Sequence, residues 1–301
     1  MNQEFLNILL LIGVGYVFKR LNLLKESDGE VLSRIIFNIT LPALIIVSLN
    51  SVVIEPSLIL LPFIVVSYGL ISVLLAYFMF KKEEKELKGT FMMLSTGYNV
   101  GLFAFPLVEA IWGIEGLLYF GMFDAGNAFL VFGVSYILGS YYSKEGLSLK
   151  PLGIMRKFSK SIPFMSYIVM TALNFSQIKL PTELIDVASV ISKANMPLSL
   201  IVLGLYMNFT FEKKYVRPII KYLLFRYGFG LLFGLGFYFL LPVNHMFRLT
   251  ILIGFLLPIG LAVIPYSHEF KYTTTRLIGT VSNICIVISI IILYFIANYI
   301  I

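Results

Sequence analysis

The chain has 301 residues, of which 59% are hydrophobic and 13% charged, and its formal net charge is +7. A mean hydropathy of +0.92 excludes an ordinary soluble domain, and short connections between long apolar runs leave no room for a separate catalytic or signalling module. The single cysteine, Cys285, excludes an intrachain disulfide and a cysteine-clustered metal centre.

Ten apolar runs follow in chain order, at 4–18, 31–50, 57–80, 89–111, 116–142, 158–176, 183–209, 217–241, 247–267 and 274–299. Such runs approach the ~20 residues needed to cross a hydrocarbon core. The first has Glu4 ahead of it, Lys19 and Arg20 behind it, and no obvious small-residue cleavage site. That arrangement reads as an uncleaved helix rather than a signal peptide.

The connections alternate in charge. Odd-numbered ones hold Lys19, Arg20, Lys25 and Arg34; then Lys81, Lys82, Lys85 and Lys88; then Lys144, Lys150, Arg156, Lys157 and Lys160. Lys213, Lys214, Arg217 and Lys221 follow, and finally Lys271 and Arg276. Even-numbered connections hold only Lys179 and Arg248, while Lys193 and Arg226 lie inside runs. The cation-rich side faces the cytoplasm, so both termini are expected outside the cell membrane. Topology thus accounts for the positive charge without a nucleic-acid partner.

Two prolines interrupt apolar runs 152 residues apart: Pro106 in the stretch from Asn99 through Val100 and Gly101, and Pro258 ahead of Ile259. Pro42 and Pro197 repeat at an offset of 155, Tyr68-Gly69 and Tyr227-Gly228 at 159, and Gly126 and Gly279 at 153. The order predicts two five-helix repeats, residues 1–150 and 151–301, inserted in opposite senses. The predicted fold is an all-α membrane protein of ten transmembrane helices, with the fourth and ninth broken.

The segment Asn38–Leu49, the run Gly97-Tyr98-Asn99-Val100-Gly101 through Pro106, and Gly113-Ile114-Glu115-Gly116 followed by Phe123-Asp124 resemble the auxin efflux carrier family. The resemblance covers essentially the whole chain and extends to the bile acid/sodium symporter-like superfamily. It implies that helices four and nine cross near the bilayer midplane. It also implies a scaffold of spans one, two, six and seven, a mobile unit of spans three to five and eight to ten, and elevator-type alternating access. The long cytoplasmic loop of some plant members is absent, which points to a short bacterial-type carrier.

On these grounds the expected substrate site comprises Asn38, Pro42, Asn99, Val100, Gly101, Pro106, Lys193, Asn195, Pro258 and Ile259. Free N–H groups at half-helix ends and the Asn99 amide suit an anion. Lys193 is the preferred charge partner of a carboxylate, or else pairs structurally with Asp124. Asp124 with Asn127 is the expected place for a coupling H⁺ or Na⁺, and Arg226 is expected to snorkel toward the cytoplasmic surface. Gly13-Val14-Gly15 is no nucleotide loop in so apolar a run, and Gly230 with Gly234 reads as helix packing. His245 and His268 lack partners for a metal, and neither a cofactor nor an enzymatic activity is expected. The resulting reading is a secondary transporter of small organic anions such as malate, malonate or auxin-like acids, with a homodimer as the expected assembly. Alternatives are a sodium-coupled bile-acid-symporter-like carrier, a channel or a transporter-like sensor.

Overall fold

The structure is a computed structural model that describes residues 2–50, 55–144, 159, 161–208 and 212–299. Among these residues every named element is helical, joined by one isolated antiparallel bridge between Tyr98 and Ile259. Six helices are long and apolar enough to cross a membrane: Glu26–Asn50, Ser57–Met79, Val100–Tyr142, Thr182–Tyr206, Lys213–Leu240 and Thr275–Asn298. Asn2–Arg20 is a further apolar helix, and Ile162–Phe175 and His245–Gly254 are shorter ones. Phe63, Leu224 and Phe239 are exposed on the outer surface, as a lipid-facing belt requires.

The element Val100–Tyr142, 43 residues long, is not one rod. It breaks at Gly113, where φ is 58° and ψ is −139°. A Cβ built on Gly116 would lie 2.9 Å from the Val108 carbonyl oxygen. Eight residues of straight helix cover about 12 Å, so the chain doubles back here. Glycine reaches that backbone conformation without a Cβ clash.

Two other apolar runs are interrupted. Lys85–Leu94 ends, and helical geometry returns only through the π-helical turn Val100–Ala104, which leads into Phe105–Ala128. His245–Gly254 ends in the same way, and helix resumes at Val263–Glu269. Pro258 lies inside the second interruption. Pro106 does not make the first one: it occupies the opening turn of Phe105–Ala128, where a missing N–H is tolerated.

Asn2–Arg20 packs along Asn195–Tyr206 through a glycine crossing. A Cβ on Gly15 would meet the Ile201 carbonyl oxygen at 2.1 Å, and one on Gly204 would meet the Ile12 carbonyl oxygen at 2.1 Å. Leu41–Asn50 packs against both Ile162–Phe175 and Thr182–Ser192. Elsewhere Leu60–Met79 lies against Phe105–Ala128, Lys85–Leu94 against Tyr136–Tyr142, and Val216–Leu240 against His245–Gly254.

Loop cations also close helix ends. Lys19 Nζ donates to the Met207 carbonyl, Lys85 Nζ to the Ser143 carbonyl at 3.0 Å, and Lys221 Nζ to the Met79 carbonyl. Each acceptor lies at or just past a helix C-terminus, where the macrodipole favours positive charge. The expected repeat boundary at residues 150 and 151, with Lys150, Arg156, Lys157 and Lys160, lies outside the described residues.

Candidate functional site

The two interruptions meet. Asn99 N–H donates to the Pro258 carbonyl at 2.9 Å, and Gly260 N–H donates to the Gly97 carbonyl at 3.3 Å, on either side of the Tyr98–Ile259 bridge. Two chain segments that have left helical geometry thus satisfy part of each other's backbone, which a membrane interior demands. Val100 and Ile259 are buried beside the pairing. Gly101 is held close to the 36–40 turn, since a Cβ there would lie 2.7 Å from Phe37 Cε1.

Asn127 completes the first interruption. Its Oδ1 accepts the Tyr98 N–H at 2.8 Å, and its Nδ2 donates to the Tyr98 carbonyl at 3.1 Å and to Asp124 Oδ1 at 2.9 Å. One carboxamide thereby serves both backbone polar groups of a residue that lies outside any helix. Asn127 and Asp124, expected together as an ion site, are hydrogen-bonded to each other, and the other bonds of Asn127 go to the Tyr98 backbone.

Arg226 closes the same junction from behind. Its Nη2 donates to the Leu257 carbonyl at 2.8 Å and to the Gly97 carbonyl at 3.4 Å. Its Nη1 donates to the Leu94 carbonyl at 3.2 Å and to Tyr222 Oη at 3.1 Å. Tyr222 Oη in turn donates to the Leu94 carbonyl at 2.7 Å, and the guanidinium carbon sits 4.7 Å from the Tyr98 ring centroid. At 6% exposure Arg226 does not snorkel. Free carbonyls at the ends of two broken helices hold it inside instead. Arg226 and Tyr222, four residues apart on the helix Val216–Leu240, are the site residues that sequence reasoning undervalued; that i, i+4 polar pair was the available signal.

Asn99 stands at the head of the π-helical turn. Its Oδ1 accepts the Leu102 N–H at 3.3 Å, while its buried Nδ2 has no partner. A buried amide donor without an acceptor is costly, and an anion or polar ligand at that point would relieve it.

A second polar pair faces this turn from Asn195–Tyr206, which packs against Val100–Ala104. Thr40 Oγ1 donates to Asn195 Oδ1 at 3.0 Å, whereas Asn195 Nδ2 and Ser199 Oγ are buried and unpartnered. Pro42 is buried one turn along in Leu41–Asn50, and Asn38 is exposed in the π-helical turn Ile36–Thr40. Lys193 lies apart from this cluster. It caps Thr182–Ser192, its side chain is exposed, and among the described residues it makes no ion pair with Asp124. Leu44, Ser48, Phe105 and Tyr167 line a narrow crevice between the 41–50 helix and the arm that follows the turn.

Comparison with known proteins identifies the family of the chain. The family described as membrane transport protein matches residues 2–297. An uncharacterized transporter of Methanothermobacter thermautotrophicus is 27% identical over 214 residues, covering 69% of this chain and 68% of that protein. An uncharacterized transporter of Methanocaldococcus jannaschii is 26% identical over 211 residues, 67% of each chain. With a match along nearly its whole length and apolar helices throughout, the chain belongs to the membrane transport protein family, the auxin efflux carrier type, and is a multi-pass membrane transporter.

Proposed function

We propose that this transporter is a secondary carrier of small organic anions that works by elevator-type alternating access. The observation that carries the reading is the junction of two interrupted helices, with the Asn99 Nδ2 donor left buried and unpartnered beside it. Substrate is held there by Asn99 Nδ2 and by the non-α-helical backbone beside it at residues 100–101 and 259. The amides of Asn195 and the crevice by Phe105 face it from the other helices. Asp124, held by Asn127, is the position at which a proton or Na⁺ enters the cycle, if transport is coupled.

Helix lengths support an inverted repeat. Glu26–Asn50 and Thr182–Tyr206 both have 25 residues and start 156 apart; Lys85–Leu94 and His245–Gly254 both have 10 and start 160 apart. Within one residue of that register, at an offset of 159, Pro106 corresponds to Pro265 rather than to Pro258. An offset of 160 also exchanges the Tyr98–Ile259 pair with the Asn99–Pro258 pair, as a two-fold axis through the junction requires. Thr40 and Asn195, 155 apart, bond to each other on the same grounds. Helices 2–20, 26–50, 162–175 and 182–206 form the scaffold in this reading, and the remainder moves.

Reconstituted carrier should take up at least one of labelled malate, malonate, citrate or indole-acetate and exchange it in counterflow, with Na⁺ and H⁺ gradients imposed separately. Flux without counterflow would replace the carrier by a channel. Asn99→Ala should melt near the parent temperature yet lose about 10- to 100-fold in affinity, the value of one hydrogen bond to a charged group. Unchanged affinity would remove Asn99 from the site.

Orientation has its own test. In a Cys285→Ser background, cysteines at Gln177 and Asn244 should react with an impermeant thiol reagent in intact cells, and those at Glu84 and Glu212 should be protected. All four positions are exposed. Labelling of Glu84→Cys from outside would reverse the topology, because the assignment rests on the cations of its loop.

A further inference from the structure

We infer that Arg226 is a tethered cation, its guanidinium occupying a carbonyl cage that the two interrupted helices build together and that would otherwise call for a soluble cation. Three acceptors converge on it from separate segments: Leu94 at the end of one helix, Gly97 in the first interruption and Leu257 in the second. Tyr222 Oη and the Tyr98 ring lie on two further sides, and the Nε donor is buried without a partner. No carboxylate takes part among the described residues, so the positive charge is met by carbonyl dipoles, the Tyr222 hydroxyl and a ring face.

That composition is what a cation site requires: oxygen dipoles, an aromatic wall and exclusion of water. The neighbouring carbonyls are already used, Leu256 by Ser289 Oγ at 2.6 Å, Pro258 by Asn99 and Tyr98 by Asn127. The guanidinium serves Leu94, which also accepts from Tyr222 Oη, Gly97, which also accepts from Gly260 N–H, and Leu257. Its planar fork reaches both interruptions at once, which the point charge of a lysine does not. The guanidinium therefore fixes the spacing of the two segments that carry the Asn99 donor, and Arg226 acts as a positioning residue. This meaning for transport rests on the proposed substrate site, but the cage itself does not.

The test is chemical rescue of stability in detergent, which needs neither substrate nor transport. Arg226→Ala vacates the cage and should melt well below the parent. Guanidinium chloride at low millimolar concentration should restore most of the lost Tm by binding the folded state. Urea at the same concentration, similar in shape but uncharged, should not, and the parent should respond to neither. Equal rescue by urea, or no rescue by guanidinium, would overturn the proposal. Should Arg226→Ala fail to accumulate even when guanidinium is present during extraction, Arg226→Lys and Arg226→Met decide the matter. Lysine must then give more folded protein than methionine; equal or reversed yields would show that the cage needs no positive charge. Failure of the anion-carrier reading would appear in the uptake panel and leave these melting curves unchanged.

Discussion

Alanine at Gly15 is expected to lower the melting temperature and the yield of folded transporter sharply, while alanine at Gly13, two residues earlier on the same helix, should be neutral or stabilising. A Cβ at Gly15 would stand 2.1 Å from the Ile201 carbonyl oxygen and 2.9 Å from its carbonyl carbon, whereas nothing lies within 4 Å of one at Gly13. The atoms in the way at Gly15 are backbone, so no rotamer change relieves the clash and the two helices must part. Overpacking of this kind costs about 1–3 kcal/mol. Gly13→Ala removes chain entropy from the unfolded state and should gain about 0.5–1 kcal/mol. Thermal melts of the two variants in one detergent check both signs. Equal melting temperatures would mean that the crossing at Gly15 and Gly204 is looser than described.

The second large effect is expected at Asn127. Asn127→Ala strips the partners from the Tyr98 N–H and C=O and from Asp124 Oδ1 in a single change. Each buried group left unsatisfied costs about 1–3 kcal/mol, so the variant should be far less stable than Asn99→Ala. Asn127→Asp keeps an acceptor for the Tyr98 N–H but loses the donor and sets a second carboxylate beside Asp124, so it should not rescue. The informative comparison is between neighbours in space: Asn127→Ala should lose Tm, and Asn99→Ala should lose affinity. Asn127→Ala melting like the parent would mean that the interruption holds itself without the carboxamide.

The all-helical, apolar character of the chain was legible in the residues, because hydrophobic runs answer directly to the bilayer. The interruption around Asn99 showed itself as a polar, glycine-bearing stretch inside an apolar run. Pairing Pro106 with Pro258 was out of step with the helix lengths because the two prolines do different things. Pro106 opens a helix, where its missing N–H is not needed, and Pro258 lends its carbonyl to Asn99 across the junction. In a chain where Pro and Gly recur among Leu and Ile, an offset of several residues is easily mistaken. The two intramembrane cations were harder still. Position along a run ranks Lys193 and Arg226 alike, but the direction of each side chain follows from packing. Lys193 leaves the helix surface, while Arg226 turns toward carbonyls that exist only because two distant helices break side by side.

The bonding at the junction also sets how its backbone should trade hydrogen for deuterium. Residues 97–99 and 258–260 lie outside any helix, and such backbone ordinarily exchanges fast. Here the amide protons of Tyr98, Asn99 and Gly260 are each donated to a buried oxygen from a segment far away in sequence. Exchange at Asn99 and Gly260 therefore waits for the two interruptions to separate, and exchange at Tyr98 for its release from Asn127. Peptides covering these positions should label as slowly as those from the centres of the long helices. The labelling rate then becomes a clock for opening of the junction, readable in the transporter with no substrate added.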